Sequence, residues 1–134
     1  MSPQGKINYR SIPRKAEMWS DADDISWLVF AQESEISLDD IQEIIEMATR
    51  THHPGELFRV LVDIRGLEAI SHEARTFASG KSLEHIYSCL ALVASTPATR
   101  LVGNFFIRFH KPPRPVKIFG TTEEAKKWLL KFEN

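Results

Sequence analysis

Several polar side chains with ligand-binding potential follow an apolar segment in the middle of the chain. The apolar run 60–62 leads directly to Asp63 and Arg65, and Ser71 and Arg75 come soon after it. Ligands of α/β sheets bind at the carboxyl ends of the strands, where these four residues would form a polar mouth. A structural explanation also exists, because loop carboxylates bond nearby backbone amides and a serine before a helix caps it. We favour that explanation for Asp63 and Ser71, and keep the four residues as the candidate ligand site or switch loop.

Metal binding and the common catalytic motifs are not predicted. The five histidines are His52, His53, His72, His85 and His110. They lack the His-x-x-x-His spacing that presents two ligands to one ion. The single cysteine, Cys89, lies in an apolar segment and is expected to be an inert hydrophobic side chain. Because the sequence also lacks a glycine-rich phosphate loop and a Gly-x-Ser-x-Gly motif, we predict no metal, no cofactor and no enzymatic activity.

The composition is that of one soluble globular domain. The chain has 134 residues, of which 43% are hydrophobic and 26% charged, and it has no apolar run long enough to span a membrane. With no basic and apolar leader at its start, we expect a cytoplasmic protein. The net charge is −1, but residues 21–46 contain acids without Lys or Arg, and residues 97–122 contain bases without acids. This segregation is typical either of a charged partner or of two neighbouring elements of one fold.

The periodicity of apolar residues predicts alternating strands and helices. Residues 1–14, which include Pro3, Gly5 and Pro13, are expected to form an irregular arm, and residues 15–134 a single domain. Strands are predicted at 15–20, 25–32, 57–64, 86–95 and 116–120, and helices at 38–50, 71–84, 97–109 and 121–132. The order ββαβαβαβα predicts an α/β fold, with a mixed four- or five-stranded sheet and helices packed on it.

The predicted helix 98–109 has a polar stripe that suggests a contact surface. An apolar arc of this helix should face the sheet: Leu101, Val102, Phe105, Phe106 and Phe109. The candidate partner surface lies on the opposite side and comprises Arg100, Gly103, Asn104, Ile107, Arg108 and, in the following proline-rich segment, Lys111. A protein partner is therefore expected. In a homo-oligomer, the acidic segment 21–46 of a second copy would complement this surface. Nucleic acid is not expected, because the phenylalanines belong to the core arc and the pI is about 6.5.

The order of elements, together with several local motifs, resembles a known fold. The motifs are Val62-Asp-Ile-Arg-Gly66, Ser71-His-Glu-Ala-Arg75, Ala91-Leu-Val-Ala-Ser-Thr-Pro97, Arg100-Leu-Val-Gly-Asn-Phe-Phe106, Lys117-Ile-Phe119 and Glu124-Ala-Lys-Lys-Trp-Leu129. Through them, residues 15–132 resemble the STAS fold (sulphate transporter and anti-sigma-factor antagonist), and more closely the SpoIIAA-like bacterial proteins of unassigned function.

This resemblance implies a non-enzymatic regulatory module that acts through protein–protein contacts. In the anti-sigma antagonists, a serine in an Asp-Ser-Ser-Gly type motif at the start of the second helix is phosphorylated. Ser71 stands at that position, but its neighbours Ile70 and His72 depart from the motif. The alternative function is binding of a small molecule, a lipid or a nucleotide at the polar mouth near Asp63 and Ser71.

Overall fold

The computed structural model describes residues 7–12, 15–51, 55–78, 86–110 and 114–132. The strands are β1 (Ile7–Ile12), β2 (Ala16–Ser20), β3 (Ile25–Phe30), β4 (Ser34–Ile36), β5 (Phe58–Asp63), β6 (Leu67–Ile70), β7 (Tyr87–Val93) and β8 (Val116–Phe119). The helices are α1 (Leu38–Thr51), α2 (His72–Ala78), α3 (Pro97–His110) and α4 (Thr122–Leu129).

The main sheet has six strands in the order β1-β2-β3-β5-β7-β8. β1, β2 and β3 pair antiparallel, whereas β3, β5, β7 and β8 pair parallel. β4 and β6 form a separate parallel pair. β7 is almost entirely buried, as its continuous apolar sequence requires for a strand with neighbours on both sides and helices on both faces.

The turn between β2 and β3 is held by the side chain of Asp21. Its Oδ1 accepts hydrogen bonds from the backbone N–H groups of Asp23 (2.9 Å) and Ile25 (3.1 Å). Asp24 has a φ of 61°, a left-handed conformation that aspartate tolerates better than most residues. The carboxylate thus bonds the backbone two and four positions further on, as aspartate commonly does in turns.

The helices pack on both faces of the sheet. Apolar side chains of α1 and α2 pack with those of Phe30, Val62 and Ala94 on one face, which we call the three-helix face because α3 also lies there. On the opposite face, which we call the α4 face, Ala125 and Leu129 of α4 pack on Leu61, Ala91, Val93 and their neighbours.

The predicted class, order and helices are confirmed, and three strands were missed. β1 lies inside the segment 1–14, for which an irregular arm was expected, and it adds a sixth strand to the five predicted ones. β4 and β6 are short and lie in segments taken for loops. The helix expected at 71–84 is described as far as Ala78, and the remainder of that prediction lies outside the described residues.

Helix ends follow the predicted capping chemistry. Thr121 Oγ1 accepts a hydrogen bond from the backbone N–H of Glu124 at 3.2 Å, and Ser37 Oγ accepts one from Asp40 N at 3.3 Å. Both contacts satisfy N–H groups that have no partner within the helix. Thr121 and Ser37 are therefore the N-caps of α4 and α1.

Candidate functional site

An apolar cavity of about 160 Å³ opens on the three-helix face. Its floor is formed by β2, β3, β5 and β7, and its walls by α1, α3 and β6. The lining includes Met18, Leu28, Phe30, Ile41, Ile44, Ile45, Val60, Val62, Ile70, Leu90, Leu92, Val102 and Phe106. The hydroxyl-bearing side chains in the described lining are Ser20, Ser26 and Tyr87, and none of the lining side chains carries a charge.

The described parts of the helices leave the centre of the sheet uncovered at this cavity. Val60 and Val62 of β5 point toward the three-helix face and are only half-buried, although β5 is an internal strand. On the same strand, Leu61 points toward the α4 face and is fully buried. An internal strand of a sheet covered on both faces should be buried on both sides. Because Val60 and Val62 are half-buried while Leu61 is fully buried, the packing among the described residues is incomplete on the three-helix face of β5.

At the polar mouth predicted from the sequence, Asp63 and Arg65 form an ion pair. Asp63 is 7% exposed, and its Oδ1 accepts hydrogen bonds from the backbone N–H and from Nε of Arg65, both at 3.0 Å. Asp63 Oδ2 accepts a further bond from Nη2 of Arg65 at 2.8 Å. These bonds raise the pKa of the Arg65 guanidinium. The loop carboxylate thus bonds a backbone amide as expected, and the Arg65 guanidinium also folds back onto Asp63.

Ser71 is a helix cap. Its Oγ accepts a hydrogen bond from the backbone N–H of Ala74 at 3.1 Å, three residues on, as an N-cap does. Arg75, on the next turn of α2, lies over the ring of Phe105 with 5.1 Å between the guanidinium carbon and the ring centroid. The structure therefore brings Asp63 and Arg65 together, while Ser71 and Arg75 bond elsewhere. The polar mouth stays a prediction, and the cavity was not foreseen.

The comparisons with known proteins place the chain in a family. A family model for a domain of unknown function, DUF7793, matches residues 18–133. This chain belongs to the DUF7793 family. The crystal structure of an uncharacterized protein of the DUF3478 family, with a SpoIIAA-like fold, from Shewanella loihica PV-4 superposes with a TM-score of 0.63. The match covers 96% of this chain and 98% of that chain at 16% sequence identity.

At that identity the similarity concerns the fold alone, and the SpoIIAA-like fold expected from the sequence is confirmed. No curated protein matches the DUF7793 chain. Within the described residues, none of the helices is long and apolar enough to cross a bilayer.

The exposed face of α3 differs from the one predicted for this DUF7793 member. Leu101, assigned to the core arc, is 71% exposed. Gly103, assigned to the outer surface, is buried, and a Cβ there would lie 3.0 Å from Cδ1 of Ile118. The helix is turned by roughly a quarter turn from the predicted orientation, because the bare backbone of glycine allows close approach to the sheet and leucine does not.

The other partner-surface residues are distributed as follows. Arg100, Asn104 and Arg108 are exposed, as predicted, and Ile107 is half-buried. Lys111 lies outside the described residues. Of the histidines, His52, His53 and His85 also lie outside them, and His72 is exposed at the start of α2. In the part of the chain that the structure describes, three His, Cys, Asp or Glu side chains do not converge on one point.

A second charged contact, not foreseen from the sequence, ties α4 to the β2–β3 turn. Lys126 Nζ lies 2.8 Å from Oδ2 of Asp23 and 3.3 Å from Oδ2 of Asp21. The hydrogen bond to Asp23 raises the pKa of Lys126. Burial tends to raise the pKa of Asp21, but hydrogen bonds from the Trp27 indole and from Ile25, with the charge of Lys126, hold it below its ordinary value.

Proposed function

We propose that this DUF7793 chain is a non-enzymatic binding module whose ligand is a small apolar molecule held in the cavity. The observation that supports the proposal is the apolar cavity of about 160 Å³ on the three-helix face. Ligand pockets are concave, mostly apolar and have few polar groups, and this cavity has those properties. A regulatory role fits the same proposal, because a ligand that fills the space would stabilise the helical layer.

The size of the cavity is unusual for a packed interior. Protein cores have packing densities like those of organic crystals, with few voids larger than a water molecule. A closed apolar void costs about 24 cal/mol per Å³, so about 4 kcal/mol is the upper limit for this partly open cavity of about 160 Å³. Typical domains have only about 5–15 kcal/mol of total stability. A ligand that fills the space would restore much of this difference.

The chemistry of the lining determines the class of ligand. An engineered apolar cavity of about 150 Å³ stays dry and binds benzene, so this cavity can hold a ring of at least that size. A charged group is disfavoured, because no charged side chain among the described lining residues would compensate its lost hydration. The same lining lacks the paired acid, base or nucleophile that an active site requires, which supports a module without catalytic activity.

The test uses two six-membered aromatic rings of similar size, one neutral and one cationic. Benzene is titrated into the protein while the melting temperature and the methyl NMR spectrum are recorded, with N-methylpyridinium as the matched charged control. We expect benzene to raise the melting temperature in a saturable manner, since a ligand that binds only the folded state stabilises it. We expect N-methylpyridinium to have no effect. A protein that responds to neither, or to both equally, would contradict the proposal.

A further inference from the structure

We propose that the outer surface of the three-helix layer is a two-fold interface, in which α1 of one copy faces α3 of a second copy. This inference is independent of the cavity ligand. It depends on the exposed charges of the two helices and on their positions in the layer.

The outer sides of α1 and α3 carry opposite charges. On α1, Ile41 and Ile44 are buried, and Asp39, Glu43 and Glu46 are exposed on the opposite side. On α3, Thr99 and Gly103 are buried, and the exposed side carries Arg100, Leu101, Asn104 and Arg108. α3 contains no acidic residue. Each helix thus presents one sign of charge, apart from Arg50 at the end of α1, which forms an ion pair with Glu46.

The topology places these two helices at opposite edges of one layer. α1 connects β3 to β5, α2 connects β5 to β7, and α3 connects β7 to β8, each pair being neighbours in the parallel part of the sheet. Such connections are right-handed, so the helices lie side by side in the order α1, α2, α3. Contacts of α2 with α1, and of Arg75 with Phe105 of α3, are consistent with this order. The layer is therefore acidic at one edge and basic at the other.

A surface with this polarity is complementary to itself. When two copies meet face to face about a two-fold axis that runs along α2, the acidic α1 of each copy faces the basic α3 of the other. In an interface of this kind, one patch serves both subunits and every contact occurs twice. The acids Asp39 and Glu43 span about 6 Å along α1, which lies within the about 12 Å that Arg100–Arg108 span along α3 at 1.5 Å per residue. Leu101, which is 71% exposed, adds an apolar contact beside the arginines.

The expected association is weak. Two helices about 20 Å long and one about 10 Å long, spaced about 10 Å apart, cover roughly 500 Å², which is less than the roughly 800 Å² per partner of a standard interface. The attraction is between exposed charges, so it should weaken strongly between about 0.05 M and 1 M salt, as the Debye length falls to about 3 Å.

The test exchanges the charges of one helix at a time. Analytical ultracentrifugation measures the dimer fraction of the parent chain, of Arg100→Glu/Arg108→Glu and of Asp39→Lys/Glu43→Lys, each alone and the two variants mixed. We expect the parent to dimerise at about 100 µM and low salt, and each variant alone to associate at least tenfold more weakly. The mixture should recover the dimer, because in a mixed pair both α1–α3 contacts again join opposite charges.

Lys127→Glu/Lys131→Glu on the α4 side is the matched control. It makes the same change in net charge as the arginine exchange, on residues exposed beyond this layer, and it should dimerise like the parent. Circular dichroism confirms folding, and the single exchanges Arg108→Glu and Glu43→Lys replace any double variant that unfolds.

Three results would overturn the interface. They are a parent that stays monomeric in low salt, a mixture that stays monomeric, and an arginine variant that dimerises like the parent. A monomeric parent that instead binds vesicles of anionic phosphatidylserine, through Arg100 and Arg108, would assign this surface to a membrane.

Discussion

Filling the cavity from its floor should stabilise the protein. Val62 points into the cavity from the internal strand β5 and is only half-buried, so a larger side chain has room there. Val62→Phe places a phenyl ring where an isopropyl group leaves space. The matched change is Val93→Phe on β7, where the valine is 0% exposed and packs against the α4 side. Both replacements add the same carbons to an internal strand, on opposite faces of the sheet.

The two replacements should change the free energy of unfolding in opposite directions. The additional carbons of phenylalanine contribute up to about 3 kcal/mol at about 0.8 kcal/mol per buried methylene, and imperfect fit and lost rotamer freedom reduce this to about 1–2 kcal/mol. At about 4 °C per kcal/mol for a chain of this length, the melting temperature of Val62→Phe should rise by roughly 4–8 °C. Val93→Phe has no void to fill, and overpacking should destabilise it by about 1–3 kcal/mol.

Denaturant unfolding, followed by circular dichroism, measures both free energies, and the benzene titration is repeated on each variant. Val62→Phe should also lose the response to benzene, because the ring occupies the same volume. The reasoning is refuted if Val62→Phe destabilises the fold as much as Val93→Phe does, since the cavity would then offer no usable space. If Val62→Phe is more stable than the parent but still binds benzene fully, the ligand binds outside this cavity.

Two further predictions concern single polar side chains. Ser71→Ala should lower the free energy of unfolding by about 1 kcal/mol, because the Ala74 amide loses its acceptor. Ser71→Asn, which preserves a cap, is the control. An alanine variant with unchanged stability would contradict the assignment of Ser71 as a cap. Asp21 has a folded pKa below its ordinary 3.8, so its contribution is fully present above pH 4–5 and is lost as the pH falls through the folded value. In denaturant titrations, Asp21→Asn should therefore be less stable than the parent at pH 7 and lose less stability below about pH 4. If its stability falls as steeply with acid as that of the parent, Asp21 does not contribute in this way.

The fold was largely predictable because its strands and helices have strong local signals. The continuous apolar run of β7, the Asp-rich turn after β2 and the Thr-x-x-Glu start of α4 each determine one element from a few neighbouring residues. β1 was missed because Pro3, Gly5 and Pro13 surround it with turn signals. Its formation depends on pairing with β2, which a local pattern does not reveal.

The candidate site was less predictable because it depends on distances between layers. Leu101 and Gly103 were assigned by hydrophobicity, which favours leucine for the core, but backbone proximity to Ile118 decides the orientation of α3. The cavity arises from the separation between the helices and Val60 and Val62, and no spacing in the sequence encodes that separation. The sequence places Asp63 and Arg65 together at the end of a strand. It does not indicate that the Arg65 guanidinium turns back onto the Asp63 carboxylate.

The burial of β7 between two helical layers affects how the chain emerges during synthesis. β7 is complete at Val93, but α4, which covers its Cys89, Ala91 and Val93 side, ends only at Leu129. At a translation rate of about 5–20 residues per second, this apolar side stays uncovered for roughly 2–7 s. The nascent chain therefore exposes an apolar strand before the covering helix exists, and a ribosome-associated chaperone would act in that interval.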